Sequence, residues 1–231
     1  QSKNYLFPRF DTIAGSGPNG AIIHYRSNIK SNRKLNKNHL LLVDSGGQYK
    51  WGTTDITRTI SFSDPSKKTK ELYTRVLKGH IAVVMSKIDK LKNGNNIDKL
   101  ARKSLNSINL DYRHGTGHGV GFFMNVHEGP QSISKHNFIK LKKGMIVSNE
   151  PGIYLENKLG IRIENLVYID GNNKNLFFKN LTFVPLEKDL IIKNLLTKLE
   201  RDYIFNYHLE TYSKISPYLN NKERKWLENL I

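Results

Sequence analysis

One stretch decides the fold of this chain: Leu41-Leu42-Val43-Asp44-Ser45-Gly46-Gly47-Gln48-Tyr49-Lys50-Trp51-Gly52-Thr53-Thr54-Asp55-Ile56-Thr57-Arg58-Thr59. Apolar residues open it, Gly46, Gly47 and Gly52 supply turns, and an alternating β-branched run closes it, which predicts a β-hairpin. Asp44 lies on one arm and Asp55 on the other, eleven residues apart. An unpaired charge is costly to bury in a strand, so two carboxylates facing one site indicate a shared divalent cation.

A second pair of carboxylates repeats this arrangement later in the chain. An apolar strand predicted from Met145 ends at Glu150, and its predicted partner, residues 159–167, contains Glu164. These two carboxylates are fourteen residues apart on adjacent extended arms. The repetition predicts an α/β (α+β) architecture of two related halves that share one site.

Composition limits the classes of protein to which the chain can belong. Its 231 residues, 38% of them hydrophobic, suffice for one domain with a substantial core. No apolar run is long enough to span a bilayer, and the absence of cysteine excludes disulfides, thiolate metal sites and a cysteine nucleophile.

The net charge of +17 would suit a nucleic-acid-binding protein. The basic residues form no block of five, however, and the abundant Asn and Lys are typical of an AT-rich genome. We therefore expect neither a nucleic-acid partner nor a membrane partner.

The N-terminal half predicts the framework around the first carboxylate pair. Residues 1–20 are expected to be irregular, and residues 21–25 a short strand. A helix capped by Asp64 is predicted to run to Lys92 and to end at Gly94, and a second helix is predicted over residues 97–108.

The C-terminal region predicts a loop, a strand and two helices. A polar loop is expected over residues 172–180 and a closing strand over residues 181–186. Helices are predicted over residues 191–213 and 220–231, separated by Ser216-Pro217. Their aromatic side chains would belong either to the core or to a protein interface; they are Tyr203, Phe205, Tyr207, Tyr212 and Trp226.

Three histidines lie among glycines between residues 112 and 130. His114, His118 and His127 fall within fourteen residues, and the glycines predict a loop or a broken strand there. A helical His-x-x-x-His zinc site needs helix-forming neighbours, which this segment lacks, so the first two histidines need not bind the same ion. His24, taken alone, is typical of a structural histidine.

Five residues form the candidate metal site on chemical grounds. Four carboxylates and one imidazole suit manganese, cobalt or zinc in a paired site better than a structural zinc. Two ions about 3.5–4 Å apart hold a bridging hydroxide and polarise a carbonyl, so hydrolysis of an amide or ester is the expected chemistry. Surface acids paired with Lys and Arg are the competing interpretation, which is weak because each candidate adjoins glycine or lies in a hydrophobic strand. The candidates are Asp44, Asp55, His118, Glu150 and Glu164.

The order Asp, Asp, His, Glu, Glu resembles the pita-bread metallopeptidases, which comprise methionine aminopeptidase, prolidase and aminopeptidase P. The sequence around these residues is most similar to eukaryotic cytosolic aminopeptidase P (Xaa-Pro aminopeptidase), from about Phe10 to the C-terminal helices. The segments that carry the resemblance are Gly17-Pro18-Asn19-Gly20-Ala21-Ile22-Ile23-His24-Tyr25, Asp44-Ser45-Gly46, Gly52-Thr53-Thr54-Asp55, His114-Gly115-Thr116-Gly117-His118-Gly119-Val120-Gly121, Asn125-Val126-His127-Glu128-Gly129-Pro130 and Gly160-Ile161-Arg162-Ile163-Glu164-Asn165.

The resemblance implies a pita-bread fold, in which a curved antiparallel sheet with pseudo-two-fold symmetry is covered by helices. It also implies an aminopeptidase that removes the N-terminal residue from peptides with proline in second position, by attack of a metal-bound hydroxide on the Xaa-Pro carbonyl. Two divalent metal ions are implied, Mn²⁺ first, with zinc or cobalt as alternatives. Because an Xaa-Pro bond has no N–H, a dedicated pocket is expected.

The resemblance assigns roles to the five candidate ligands. Asp44 would bind one metal ion, and Asp55 and Glu164 would bridge both. His118 and Glu150 would complete the shell of the other ion. Glu150 would also act as the general base.

The resemblance further implies which residues contact the substrate. Three histidines would donate to the scissile carbonyl and pack around proline, because positive donors stabilise the developing oxyanion. Tyr154 and Arg162 would orient carboxylates as well. The implied substrate-binding residues are His24, His114, His127, Phe10, Tyr154 and Arg162.

The resemblance also bears on domains, assembly and location. Residues 1–231 are expected to be a catalytic domain incomplete on its N-terminal side, with upstream domains absent; the first residue, Gln1, fits a fragment or a processed chain. Residues 190–231 are expected to be a C-terminal helical extension with a possible homodimer contact. A cytoplasmic location is implied, with a digestive vacuole as the alternative if a targeting segment precedes this sequence.

Two other interpretations compete with aminopeptidase P. One is a related enzyme, prolidase or methionine aminopeptidase. The other is a metal-free pita-bread module that binds nucleic acid or protein, although such a module is expected to have lost metal ligands and all five are present. Three residues differ from those expected in the family: Asp11, Trp51 and Asn149. None is a proposed ligand, so these differences concern subsite preference.

Overall fold

The computed structural model describes residues 3–172 and 174–231. Within these ranges, small antiparallel sheets are packed against α-helices. The strands are β1 (Tyr5–Pro8), β2 (Ile13–Ser16), β3 (Leu40–Ser45), β4 (Gly47–Tyr49), β5 (Gly52–Thr53), β6 (Ile56–Ser61), β7 (Gly117–His118), β8 (Ser132–Ile133), β9 (Ile146–Asn149), β10 (Gly152–Leu155), β11 (Leu159–Arg162), β12 (Asn165–Asn172) and β13 (Asn175–Asn180). The helices are α1 (Lys67–Val84), α2 (Ile88–Leu91), α3 (Gly94–Asn106), α4 (Lys198–Ile215) and α5 (Asn221–Leu230).

The first carboxylate pair lies on one three-stranded sheet, ordered β2-β3-β6. Strands β3 and β6 pair antiparallel with Asp44 opposite Thr57, and Asp55 immediately precedes β6. This confirms the predicted pairing of the two arms. The residues between the arms form β4 and β5, which pair with each other and join β1 in a separate small sheet.

The second carboxylate pair lies on a sheet ordered β13-β12-β9, beside the hairpin of β10 and β11. Strands β9 and β12 pair antiparallel with Asn149 opposite Asn165. Glu150 directly follows β9, and Glu164 directly precedes β12. Both halves therefore place two carboxylates in or next to a pair of antiparallel strands, as the sequence predicts.

Helices α1 and α3 cover these sheets. Helix α1 buries Leu72, Val76 and Leu77 on one face, at the spacing expected of an amphipathic helix. A Cβ on Gly79 would lie 2.3 Å from the Ala101 carbonyl oxygen. The absence of a side chain there lets α1 pack closely against α3.

The predictions for the N-terminal segment are wrong. Residues 5–8 and 13–16 are strands, because they pair with β4 and β3 far along the chain. Residues 21–25, predicted as a strand, are not one: Ala21 ends the 3-10 helix Gly17–Ala21, and His24 lies in the turn that follows. Residues 1 and 2, which the prediction included, lie outside the described residues.

The predicted helix boundaries also need correction. The N-cap of α1 is Ser66, whose side chain accepts a hydrogen bond from the Thr69 amide. Asp64 instead forms an ion pair with Lys70 at 2.6 Å. The long predicted helix is divided into α1 and α2, and Gly94 begins α3 instead of ending a helix, because the Asn93 side chain caps α3.

The C-terminal predictions place both helices in the right region but begin the first one too early, and they misplace the strand. Helix α4 begins at Lys198 and not at residue 191, because Thr197 caps it. Residues 175–180 form β13, in which Leu176 and Phe178 turn inward against the core, whereas residues 181–186 form no strand. Residue 173, within the predicted loop, lies outside the described residues. Helices α4 and α5 are separated by the 3-10 helix Ser216–Tyr218, as predicted.

The aromatic residues of α4 and α5 divide between core and surface. Tyr207 is buried and Tyr203 packs against the core, whereas Phe205 and Trp226 are 64% and 61% exposed. No helix in the described part of the chain has the length and apolar character needed to cross a membrane.

Candidate active site

The two carboxylate pairs meet at a cavity of about 430 Å³. The acidic side chains at its inner end are buried or nearly so, whereas His24 and His127 are exposed at its outer part. All five candidate ligands line the cavity, as do five of the six predicted substrate-binding residues. These lining residues are Asp44, Asp55, His118, Glu150, Glu164, Phe10, His24, His114, His127 and Arg162.

Three candidate ligands form a compact donor group. One ligand atom each from Asp55, His118 and Glu164 lie within 4.8 Å of one another. The Nε2 atom of His118 is 3.5 Å from an oxygen of Asp55 and 3.5 Å from an oxygen of Glu150. Two carboxylates and one imidazole at this separation suit a divalent ion of the manganese, cobalt or zinc type.

The orientation of His118 is fixed by backbone contacts. Its Nδ1 lies 2.9 Å from the Gly119 carbonyl oxygen and donates to it, so Nε2 is the ring nitrogen that faces the carboxylates. Ser148 accepts a hydrogen bond from the His118 amide and donates one to Glu150. A histidine that ligates a metal through one ring nitrogen generally donates the N–H of the other, as His118 Nδ1 does to Gly119.

Arg162 ties the two halves of the site together. Its guanidinium donates to Asp44 at 2.7 Å and to the Thr57 hydroxyl at 3.0 Å. Thr57 in turn donates to Glu164 at 2.7 Å. The second oxygen of Asp44, Oδ1, is buried and has no hydrogen-bond partner among residues 3–172 and 174–231. A buried carboxylate oxygen without a partner fits a position that a cation would contact.

Burial and neighbouring charges shift the pKa values of the ionisable groups in the cavity. Desolvation raises the pKa of Glu150 to about 7 and the pKa of Glu164 well above its ordinary range, and neighbouring carboxylates add to both shifts. Desolvation also raises the pKa of Asp44, although Arg162 opposes the change. Burial tends to lower the pKa of His118, but the hydrogen bond with Asp55 and the charge of Glu150 outweigh it and raise the pKa. Divalent cations held there would favour the ionised carboxylates and so oppose both the desolvation and the repulsion that raise their pKa values.

His114 is held in one neutral form. Its Nδ1 donates to the Gly115 carbonyl oxygen at 2.7 Å, and its Nε2 lies 2.8 Å from the Tyr154 hydroxyl. Tyr154 accepts from Arg162, so its own proton is directed to His114. Burial lowers the pKa of His114 to about 4, which agrees with a neutral ring. Tyr154 therefore lies behind His114 and does not line the cavity.

His127 and Phe10 complete the outer part of the cavity. The His127 ring lies against the His118 ring, with centroids 3.8 Å apart. Burial and the nearby His118 lower the pKa of His127. Phe10 lies so close to Gly46 that a Cβ there would be 2.7 Å from the phenyl ring.

Several supporting residues were not predicted from the sequence. Thr57 and Ser148 hold Glu164 and Glu150, and a buried Arg102–Asp98 ion pair supports the segment before His118. Arg102 also donates to the His114 carbonyl oxygen at 2.7 Å. The four-residue spacing of this ion pair was visible, but nothing in the sequence distinguishes it from a common surface pair.

Comparison with known proteins agrees with this geometry. Residues 1–171 match the model of Metallopeptidase family M24, and residues 174–230 match that of the C-terminal region of peptidase_M24. The chain therefore belongs to the M24 metallopeptidase family. The resemblance expected from the sequence is confirmed.

Relatives within the family are named as aminopeptidases. Aminopeptidase P2 of Arabidopsis thaliana is 49% identical over 97% of this chain and 33% of that protein. Xaa-Pro aminopeptidase 1 of Dictyostelium discoideum is 43% identical over 100% of this chain and 39% of that protein. The chain thus spans between a third and two fifths of the length of these relatives.

Solved structures confirm the pita-bread fold. The X-prolyl aminopeptidase from Caenorhabditis elegans, described as a cytosolic enzyme with a di-nuclear active site, matches with a TM-score of 0.95 and 36% identity. That match covers 99% of this chain and 39% of the other. Prolidase from Pyrococcus furiosus matches with a TM-score of 0.69 and 32% identity, over 78% of this chain and 51% of the other.

The buried acids predict a pH-dependent stability. In the metal-free protein, Glu164 keeps its proton when folded but loses it near its ordinary pKa when unfolded, so its contribution falls as pH rises above about 4.5. Metal-free Glu164→Gln should therefore be more stable than metal-free wild type at pH 8, because the amide has no proton to lose on unfolding. Urea unfolding with a chelator at pH 5, 6.5 and 8 measures this difference.

The difference between Glu164→Gln and wild type should shrink as pH is lowered to 5. Glu156→Gln, at the exposed turn between β10 and β11, provides the matched control and should show no such trend. A difference for Glu164→Gln that stays constant across this range would contradict the raised pKa.

Proposed function

We propose that this chain carries the catalytic site of a metal-dependent Xaa-Pro aminopeptidase, which removes the first residue from peptides with proline in second position. The observation that carries the proposal is the donor group of Asp55, His118 and Glu164 within 4.8 Å, in a cavity that also contains three histidines. The names of the relatives support the same reaction. The chain also resembles a prolidase in structure, so cleavage of dipeptides is the alternative that an assay must distinguish from aminopeptidase activity.

The proposed cofactor is a pair of divalent metal ions, with Mn²⁺ as the first choice and zinc or cobalt as alternatives. Asp44 would hold one ion, Asp55 and Glu164 would bridge the pair, and His118 and Glu150 would hold the other. Ions held there would polarise the scissile carbonyl and lower the pKa of water. Two observations support this assignment: an oxygen of Asp44 is buried without a partner among the described residues, and His118 Nε2 lies 3.5 Å from both Asp55 and Glu150.

Proton transfer is assigned to Glu150. Glu150 lines the cavity beside His118, so its carboxylate is placed to take a proton from the attacking water and to return it to the departing nitrogen. Ser148 donates to Glu150 at 3.0 Å and fixes its orientation. The proline nitrogen must gain a proton to leave as an amine, because an unprotonated amide anion is a poor leaving group.

The three histidines have different proposed tasks. The ring nitrogens of His114 are occupied by Gly115 and Tyr154, which leaves this ring to pack against the substrate. His24 and His127 are exposed to the cavity and are the candidates to donate to the carbonyl as its oxygen gains charge. The apolar Phe10 would contact the proline ring.

The first test is hydrolysis of Ala-Pro-Ala after chelation and again after addition of Mn²⁺. We expect release of alanine that is lost with the chelator and restored by the metal, with no cleavage of Ala-Ala-Ala. Cleavage confined to the dipeptide Ala-Pro would favour prolidase. No hydrolysis of any of these peptides, together with no bound metal, would favour a binding module.

Substitutions separate the proposed roles. Glu150→Gln should abolish turnover, and Asp55→Asn should lose metal as well because it removes charge from a bridging position. His127→Ala should lower turnover about 10²-fold or more, the scale of one lost oxyanion donor, while metal content stays normal. Peptide hydrolysis and elemental analysis of the purified variants provide both readouts. Loss of metal from His127→Ala would make this residue a ligand instead, and normal activity of Glu150→Gln would refute the base assignment.

We also propose a domain assignment and an assembly. Residues 1–231 would form the catalytic domain, with residues 190–231 as a helical extension that supports a homodimer. The exposed side chains of Phe205 and Trp226 support this contact, since aromatic residues are enriched at interfaces. A cytoplasmic location is proposed from the cytosolic relative; none of the relatives named above supports a digestive vacuole.

The dimer can be tested by sedimentation. At micromolar concentration the wild type should sediment with twice the mass of one protomer, and Phe205→Ser/Trp226→Ser should sediment as a monomer because the apolar contact is lost. Leu35→Ser, which removes an exposed apolar side chain elsewhere, is the control and should remain dimeric. A wild type that sediments with the mass of one protomer would exclude the proposed assembly.

A further inference from the structure

The hairpin of β4 and β5 lies between the two carboxylates of the first half of the site. It begins three residues after Asp44 and ends two residues before Asp55. Its central polar side chain, Gln48, is fully buried. Such a position for an amide is stable only when its donors and acceptor are satisfied.

The Gln48 amide connects the hairpin to a distant loop. Its Nε2 donates to the carbonyl oxygens of Tyr49 and Gly52 within the hairpin, at 3.0 and 3.2 Å, and to that of Phe122 at 3.0 Å. Its Oε1 accepts from the Thr53 hydroxyl at 2.7 Å. Thr53 also lies 3.3 Å from the Phe122 carbonyl oxygen. Both side chains therefore converge on one backbone atom 74 residues away from Gln48.

The loop that receives this contact, residues 119–128, begins beside His118 and includes His127. Its base is closed by a hydrogen bond from the Glu128 amide to the Gly119 carbonyl oxygen, at 2.8 Å. A Cβ on Gly119 would lie 2.0 Å from the Glu128 carbonyl oxygen, so the loop is folded tightly. The position of its tip is thereby linked to the position of His127.

Three consecutive residues at the tip of the loop are held by the small sheet of β1, β4 and β5. Two of them contact the sheet itself, and the third contacts the residue that follows β1. The Phe122 carbonyl oxygen is held by Gln48, as described above. The Phe123 ring meets Phe7 edge to face, with centroids 6.2 Å apart. The Met124 carbonyl oxygen accepts a hydrogen bond from Arg9. The side chains of Phe122 and Met124 are exposed, so their backbone contacts do much of the anchoring.

We infer that Gln48 is a positioning residue that acts through His127. By holding the tip of loop 119–128 to the small sheet, it keeps the His127 ring against His118 and facing the cavity. The segment that joins Asp44 to Asp55 thus also sets the position of a histidine on the other side of the cavity. This inference rests on the proposed function of His127.

The test uses Gln48→Met, which keeps the length of the side chain and removes its hydrogen bonds. We expect kcat for Ala-Pro-Ala to fall about tenfold, the lower end of losses seen for residues that orient catalytic groups, with KM within about twofold of wild type. Metal content should stay normal. Hydrogen exchange should become faster in residues 119–128 and remain unchanged in α1.

A double-mutant cycle distinguishes positioning from general damage. If Gln48 acts through His127, the double variant Gln48→Met/His127→Ala should be no slower than His127→Ala alone, within about twofold. Multiplied losses would overturn the inference, as would loss of metal from Gln48→Met, because the hairpin would then act through His118. A folded Gln48→Met with unchanged kcat would overturn it too.

Two further variants serve as backup and control. Thr53→Val should produce a smaller change of the same kind if Gln48→Met does not fold. Thr54→Val removes hydroxyl contacts with Gly47 in the same hairpin and none with the loop, and should leave kcat and loop exchange unchanged. An equal loss in Thr54→Val would ascribe the effect to the stability of the hairpin and overturn the inference.

The cycle also separates this inference from the proposed function. If wild type does not cleave Ala-Pro-Ala, the proposed function fails and the catalytic role of Gln48 fails with it. If wild type and His127→Ala behave as proposed but Gln48→Met does not slow turnover, the inference about Gln48 fails alone. Hydrogen exchange reports the loop contact without any need for activity.

Discussion

The structure depends on the burial of several carboxylates around one cavity. Glu164 and Asp55 are almost fully enclosed, and Asp44 and Glu150 lie beside them. Within residues 3–172 and 174–231, the hydrogen bonds of Arg162 to Asp44 and Thr57 are the main cationic support of this group. Burial raises the pKa of Asp44, Glu150 and Glu164, and repulsion among the carboxylates, which one guanidinium does not balance, adds to the shifts. The site is consequently far better suited to hold divalent cations than to remain free of them.

The fold meets this constraint by using strand ends twice. In each half, two antiparallel strands bring residues that are eleven or fourteen positions apart to one side of the cavity. Arg162 and Thr57 then join the halves, because Thr57 belongs to the first and Glu164 to the second. Arg58 reinforces the junction by donating to the Glu164 carbonyl oxygen at 2.7 Å and to Tyr207 of α4 at 3.0 Å. The C-terminal helices are therefore connected to the site by a buried hydrogen-bond network and not only by apolar packing.

The partners of the second ring nitrogen give chemically similar histidines different properties. His118 and His114 each donate Nδ1–H to the carbonyl oxygen of the following residue. The remaining nitrogen of His118 faces carboxylates, which raise its pKa. That of His114 receives the Tyr154 hydroxyl, and burial lowers the pKa of this ring to about 4. His127 depends on a different support, the folded loop and the sheet that contacts its tip. Identical side chains within fourteen residues thus acquire separate roles from their partners.

The sequence by itself determined the five candidate ligands, the paired-strand arrangement and the family, because these features are local or carried by short segments with fixed spacing. It did not determine β1, β2 or β13, whose hydrogen-bond partners lie elsewhere in the chain, and it misplaced His24 in a strand. The contacts of Gln48 with Phe122 and of Arg162 with Asp44 span 74 and 118 residues. Only the tertiary structure decided them, since spacing along the chain carries no information about which buried polar groups meet. The sequence identified the chemical groups of the site, whereas long-range packing determined their burial and their hydrogen-bond partners.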